Sequence, residues 1–163
     1  MYTDFVNTPV VSFPSSPAAM APTQVIVVDW TVADYKTLIA GMDPRIPVIV
    51  LQPGQSGLEG LAKALAGFKN LDAIHLVTEG HGGAIQLGAH WIDDAAIKTD
   101  PTDVAAIGAA LKPGGDLLLY GCSVAYGPAG QTFINDLSAQ LGHVDVAAST
   151  NKPGSRENAS SWS

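Results

Sequence analysis

The chain is poor in cysteine: there is one, Cys122, in 163 residues. A single thiol excludes an internal disulfide and any structural zinc site that needs two or more thiolates. It leaves Cys122 as either an inert buried thiol or a reactive one. Positive charge is also scarce. Eight Lys plus Arg stand against fifteen Asp plus Glu, a formal charge of −7. Such a surface repels phosphate backbones and anionic headgroups, so neither nucleic-acid binding nor membrane association through a basic patch is expected. Long apolar runs are missing too. None approaches the roughly 20 residues of a spanning helix, so membrane insertion is not expected. Residues 1–22 contain no Lys or Arg. Without a basic leading region they do not read as a secretory signal.

What is there is a core. Hydrophobic residues make up 47% of the chain and charged residues 14%, which excludes a disordered polypeptide. Seventeen Gly and eleven Pro follow no collagen-like period. The length suits one domain. Residues 1–22, with Pro9, Pro14, Pro17 and Pro22, read as an arm or linker. They are either a flexible leader or a segment that docks as a strand. Residues 23–163 read as a single domain.

From Gln24 onward strands and helices alternate. Val25-Ile26-Val27-Val28-Asp29 and Val48-Ile49-Val50-Leu51 are β-branched runs of the kind buried on both faces of a sheet. Further strands are expected over residues 71–78, 116–120 and 144–148. Helices are expected over 34–40, 58–68, 103–111 and 129–141, with Asp100 or Thr102 capping the third and Pro113-Gly114-Gly115 following it. Ala84-Ile85-Gln86-Leu87 and Trp91-Ile92 read as a small hairpin. The alternation predicts a three-layer α/β/α sandwich with a mainly parallel sheet. The tail over residues 150–163 is polar, as at a domain boundary or a truncated last strand.

Ligands bind an open parallel sheet at the carboxyl ends of its strands. Two of those ends carry chemistry here. The third strand runs into Thr78-Glu79-Gly80-His81-Gly82-Gly83, and the fourth into Tyr120-Gly121-Cys122-Ser123. If the two strands are neighbours, an imidazole and a thiol project into one crevice. The imidazole can then take the thiol proton and later protonate a leaving group. The backbone N–H groups of Gly82 and Cys122 are candidate oxyanion donors.

The run Ile74-His75-Leu76-Val77, the glycine-flanked polar turn, Gly83-Ala84-Ile85-Gln86-Leu87-Gly88, and Leu117-Leu118-Leu119-Tyr120-Gly121-Cys122-Ser123-Val124-Ala125 occur in that order. Together with Val28-Asp29 and Asp34-Tyr35-Lys36-Thr37-Leu38, they resemble the domain of unknown function DUF4347 over residues 24–162. That family is grouped with the caspase-like (clan CD) cysteine peptidases, among them legumain, gingipain, separase and the CHAT domains. The resemblance implies a caspase-like fold, Cys122 as nucleophile and a His-Gly after the preceding strand. It also implies a setting in large bacterial surface or secreted proteins with adhesin-like and calcium-binding repeats, hence an extracellular or cell-surface location. The expected function is a cysteine peptidase-like domain, with self-processing as one mode, whose partner is a polypeptide substrate or segment. The alternative is a catalytically inactive binding or assembly module of an adhesin.

The family usually reads Ser-His-Gly after the third strand. Aligned without a gap, those positions are Thr78-Glu79-Gly80; shifted by two, the match is Gly80-His81-Gly82-Gly83. Either His81 is the base, or Glu79 stands in the histidine's place and the domain only binds. Other residues have plainer readings. His75 lies within a strand and reads as a hydrogen-bonded structural residue. His90 with Asp93 and Asp94 lacks diagnostic ligand spacing, so no metal is expected. His143 follows a helix end, where the dipole favours it. Glu79, Asp29 and Ser123 are candidates for orienting His81 or binding substrate, although Asp29 reads equally as a cap together with Thr31. Trp30 and Trp91 are either pocket walls or packing residues. The glycine cluster at 80–83 lacks the Lys-Ser/Thr of a phosphate loop, and no cofactor is expected.

Overall fold

Runs of Val, Ile and Leu become strands here because their side chains can be buried on both faces of a pleated sheet. The computed structural model describes residues 10–12, 23–33, 35–41, 43–55, 57–120 and 123–148. In chain order its elements are β1 (Val10–Ser12), β2 (Gln24–Asp29), α1 (Tyr35–Ala40), β3 (Val48–Leu51), α2 (Gly57–Leu65), β4 (Leu71–Val77) and β5 (Gly80–His81). They continue with β6 (Ala84–Leu87), β7 (His90–Asp93), α3 (Asp94–Thr99), α4 (Pro101–Gly108), β8 (Leu111–Tyr120), α5 (Gly127–Gln140) and β9 (Asp145–Ala148).

Six strands form the main sheet in the order β1-β3-β2-β4-β8-β9. Every pairing in it is parallel except β1 with β3. Within the segment read as an arm or linker, residues 10–12 thus add an antiparallel edge strand. The expected α/β sandwich with a mainly parallel sheet is the architecture observed.

Successive residues of a strand point to opposite faces. On one face Val25, Val27, Ile49, Leu51, Ile74, Leu76, Leu117 and Leu119 share a core with α2, α4 and α5 through Leu61, Leu65, Ile107, Phe133 and Leu137. On the other, Ile26, Val28 and Val77 pack with Val32 and with the half-buried Tyr35 and Ile39 of α1. Each fully buried side chain of this size contributes about 1.5–3 kcal/mol by leaving water. The three layers are therefore unequal, with the larger core beneath α2, α4 and α5.

Two boundaries differ from the sequence expectation. The helix expected to reach Leu111 ends at Gly108, where α4 meets the end of α5. A Cβ at Gly108 would lie 2.2 Å from the carbonyl oxygen of Leu141. The chain turns through Ala109 and Ala110, and Leu111 already pairs with Leu71. Pro113-Gly114-Gly115 then lies inside β8 rather than before it. The register steps from Leu71↔Leu111 to Ala73↔Asp116, so the extra residues form an irregularity that accommodates Pro113 and the positive φ of Gly114. Likewise α2 stops at Leu65, not Phe68. Tight turns follow from Ala66 N to Lys63 O and from Phe68 N to Leu65 O, yet Phe68 still packs against the core.

The close crossing of α4 and α5 makes a prediction. Gly108→Ala overpacks backbone against backbone and lowers stability by about 1–3 kcal/mol in urea unfolding. Gly67→Ala, where nothing lies within 4 Å of the new Cβ, leaves the midpoint unchanged or slightly raised.

Candidate functional site

The site begins with strand register. Ile74↔Leu117, His75↔Leu118, Leu76↔Leu119 and Val77↔Tyr120 pair in parallel, so β4 and β8 finish level at the carboxyl edge of the sheet. One more bond follows, from Thr78 N to Tyr120 O at 3.3 Å. The chain then leaves β4 through Glu79 and β5 and returns against the segment that follows β8. There Gly83 N donates to Val124 O at 2.8 Å. A Cβ on Gly82 would lie 2.8 Å from Tyr126 O, and one on Gly83, at φ +84°, would lie 3.0 Å from Ala129 O. Side chains are absent at both positions because backbone occupies the space. Ser123 is buried with φ +60°, and its carbonyl accepts from Tyr126 N at 2.9 Å. Val124 and Ala125 are buried behind it, and Gly130 of α5 admits them closely, since a Cβ there would fall 2.3 Å from the carbonyl carbon of Ala125. The 123–126 turn is thus clamped between the His81 turn and the first turn of α5.

Gly121 and Cys122, one chain step before this turn, lie outside the described residues. Both of their described flanks, Tyr120 and Ser123, belong to the clamp.

His81 is exposed, and its ring rests against the indole of Trp91, centroids 4.6 Å apart and planes tilted by 31°. β5, β6 and β7 form a separate three-stranded antiparallel sheet, which sets this pair side by side. The register Gly80↔Ile85, His81↔Ala84 and Gln86↔Trp91 fixes it. An open cleft of about 640 Å³ lies there, lined by His81, Gly82, Trp91, Asp93, Asp94 and Thr132 among others. Of the two residues competing for the histidine's place, His81 lines the cleft. Glu79 does not; it is half-buried, and its carbonyl accepts from Gln86 N at 2.8 Å.

Asp29 has a structural position. It is 0% exposed at the end of β2. One carboxylate oxygen accepts from Gly88 N at 2.8 Å, and the other from Thr31 N and the Thr31 hydroxyl. It therefore closes its own turn with Thr31 and pins the β6–β7 hairpin to the main sheet; it does not cap the following helix, since α1 begins only at Tyr35. Ser123 contributes a backbone turn. Trp30 is exposed just beyond β2, whereas Trp91 is a wall of the cleft.

The remaining histidines sort by contact. His75 is half-buried on the second face of the sheet. Its Nε2 donates to Gln24 Oε1 at 2.8 Å, which leaves Nδ1 to accept from the Tyr120 hydroxyl at 2.9 Å. Burial pushes the imidazole below its usual 6.5 and the Tyr120 phenol above its usual 10.0. This is the hydrogen-bonded structural residue expected. His143 takes φ +62°, and its N–H bonds Ser138 O at 2.8 Å, which closes α5. His90 is exposed near Gly57. Among the described residues no group of three or more His, Cys, Asp or Glu is placed to hold a metal ion. Asp93 instead caps α3, accepting from Ala96 N at 2.9 Å, and Asp94 pairs with Lys98 at 2.8 Å.

Two parts of the cleft lie outside the sequence expectation. Helix α3 was not foreseen, although Asp93 as a cap followed by Asp94 and Lys98 at i,i+4 is a readable helix start. Pro128 and Thr132 reach the cleft only because α5 packs beside the His81 turn.

The family described as "Domain of unknown function (DUF4347)" matches residues 25–163. No curated protein and no solved structure matches the chain.

The depressed imidazole gives a signed prediction. The native state binds the His75 proton less readily than the unfolded chain, so the unfolded chain holds more protons between the native value and 6.5. The stability that His75 contributes is full above 6.5 and is lost as pH falls through the native value. Urea midpoints between about pH 7.5 and pH 5 should fall on acidification, with a shallower slope for His75→Gln. The His75 ring signal in a nuclear magnetic resonance titration should move only below pH 6.5.

Proposed function

The chain belongs to the DUF4347 family, and we propose that it works as a cysteine peptidase-like domain with Cys122 as nucleophile and His81 as base and acid. The observation that supports this most is the clamp: the His81 turn is bonded, through Gly83 N and Val124 O, to the turn that follows Cys122 in the chain. An imidazole at the mouth of an open cleft and a thiol one step from that turn are the elements that thiol catalysis needs.

In this reading His81 takes the Cys122 proton, and the thiolate attacks the carbonyl carbon of a peptide bond. The electron pair moves to the oxygen, which the N–H groups of Gly82 and Cys122 stabilise. The tetrahedral intermediate collapses, the C–N bond breaks, and the imidazolium gives its proton to the departing amine. Water then attacks the thioester as His81 accepts its proton. The acyl group leaves as a carboxylic acid, and Cys122 regains its hydrogen. The substrate is a polypeptide, and a segment of the same larger protein serves equally well as self-processing. The proposed setting, which rests on the family resemblance alone, is a bacterial surface or secreted protein.

A second reading rests on Glu79, which holds the family's histidine position in a gapless alignment. Under it the domain is a non-catalytic binding or assembly module, and the cleft binds without turnover.

A peptidyl electrophile that reacts with thiols separates the two readings. The expected result is one covalent adduct by mass on the wild type, none on Cys122→Ala, and labelling of His81→Ala slowed about 100-fold. A folded wild-type protein that stays unlabelled, or equal rates with and without His81, would overturn the peptidase reading in favour of the binding module.

A further inference from the structure

The cleft beside His81 has a lopsided chemistry. One wall is an aromatic face: Trp91 is 46% exposed although His81 lies against part of its ring. The floor is apolar and small, from Ala95, Pro128 and Ala129. The far wall is anionic. Asp93 and Asp94 line it directly, and Lys98 behind them bridges Asp94 at 2.8 Å and Asp136 at 3.2 Å. Two carboxylates thus share one ammonium, and with the neighbouring Asp93 the group keeps a negative excess. The hydrogen bond from the Lys98 ammonium, with Asp136 beside it, holds the Asp94 carboxyl below its usual range. Among the described residues that line the cleft there is no Lys or Arg.

An anion is repelled by such a wall. An inorganic cation is poorly served by it, because the described residues bring no group of three ligating side chains together and Lys98 already occupies the inner position. What fits is an organic cation with an apolar stem. Its charged head lies over the open part of the indole and against Asp93, and its methylenes lie along Pro128 and the alanines. At about 640 Å³ the cleft has room for one long side chain and the backbone on either side of it.

We infer that the cleft receives a basic side chain, arginine or lysine, of a polypeptide. As a statement about substrate this rests on the peptidase reading; as a statement about binding it does not. Trp91 and Asp93 are then the residues that select for positive charge, the first through its face and the second through its carboxylate.

The test reads binding without turnover, on the full chain carrying Cys122→Ala. The probe is N-acetyl-arginine methylamide, compared with its citrulline analogue, which keeps the shape and loses the charge. The Trp91 indole N–H resonance reports occupancy. The expected result is saturation by the arginine compound at about tenfold lower concentration than by citrulline, weakening as salt rises. Asp93→Ser keeps a residue able to cap α3 and removes only the charge, and it should weaken arginine binding about fivefold. Trp91→Leu should weaken it comparably. Equal binding of the arginine and citrulline compounds, or no loss in Asp93→Ser, would overturn the inference. The two proposals fail separately. Arginine binding by a protein whose thiol no electrophile labels keeps the cleft assignment and rejects the peptidase. Labelling that is no faster for arginine electrophiles than for leucine ones, with no arginine binding, does the reverse.

Discussion

The level finish of β4 and β8 is the constraint on which the carboxyl edge of the sheet depends. Parallel strands lie about 4.8 Å apart, so two loops that start side by side at the same height must either pack together or diverge. Here they pack. The contact is made of backbone, with Gly83 N on Val124 O, Gly82 beneath Tyr126 O and Gly130 beneath Ala125. A slip of one residue between β4 and β8 would turn either Leu76 or Leu119 out of the main core and set the two loops at different heights. Folding energy and site geometry therefore share one register.

That economy divides labour among residues. The glycines at 82, 83 and 130 hold the clamp and carry no reactive group. Asp29, wholly buried, ties the β6–β7 hairpin to the sheet and so sets where Trp91 stands. His81, Trp91 and Asp93 are exposed and bear little of the packing. Substitutions at exposed positions of this kind usually shift stability by only about 0.5 kcal/mol, so the chemistry of the cleft can vary while the frame stays fixed. His75 and Tyr120 sit on the other side of the same strand ends. Their hydrogen bonds join β2, β4 and β8 across the face that α1 only partly covers.

Sequence alone carried most of the sheet, because β-branched runs such as Val25–Val28 and Val48–Leu51 have few other ways to be buried. It also put His81 after the third strand and Cys122 after the fourth, but left open whether those strands are neighbours, which the pairing of β4 with β8 answers. What it missed has a physical cause in each case. The end of α4 is set by contact with Leu141, more than thirty residues away in the chain. The start of β8 is set by pairing with Leu71 across a proline and two glycines that read locally as a turn. The stacking of His81 on Trp91 depends on hairpin register, and the part of the cleft lined by Pro128 and Thr132 on how α5 packs. Long-range contacts of this kind leave no local periodicity. The choice between Glu79 and His81 was open in the sequence for the same reason; of the two, His81 lines the cleft.

The central proposal is that the His81 imidazole acts on the Cys122 thiol. The most direct measurement is the pH dependence of Cys122 alkylation by iodoacetamide, a small neutral probe that needs no recognition by the cleft. If the claim holds, the wild type keeps reacting well below about pH 8.5, the ordinary titration range of a thiol, and His81→Ala loses that reactivity. Two profiles that superimpose, both rising only through the ordinary thiol range, would contradict it.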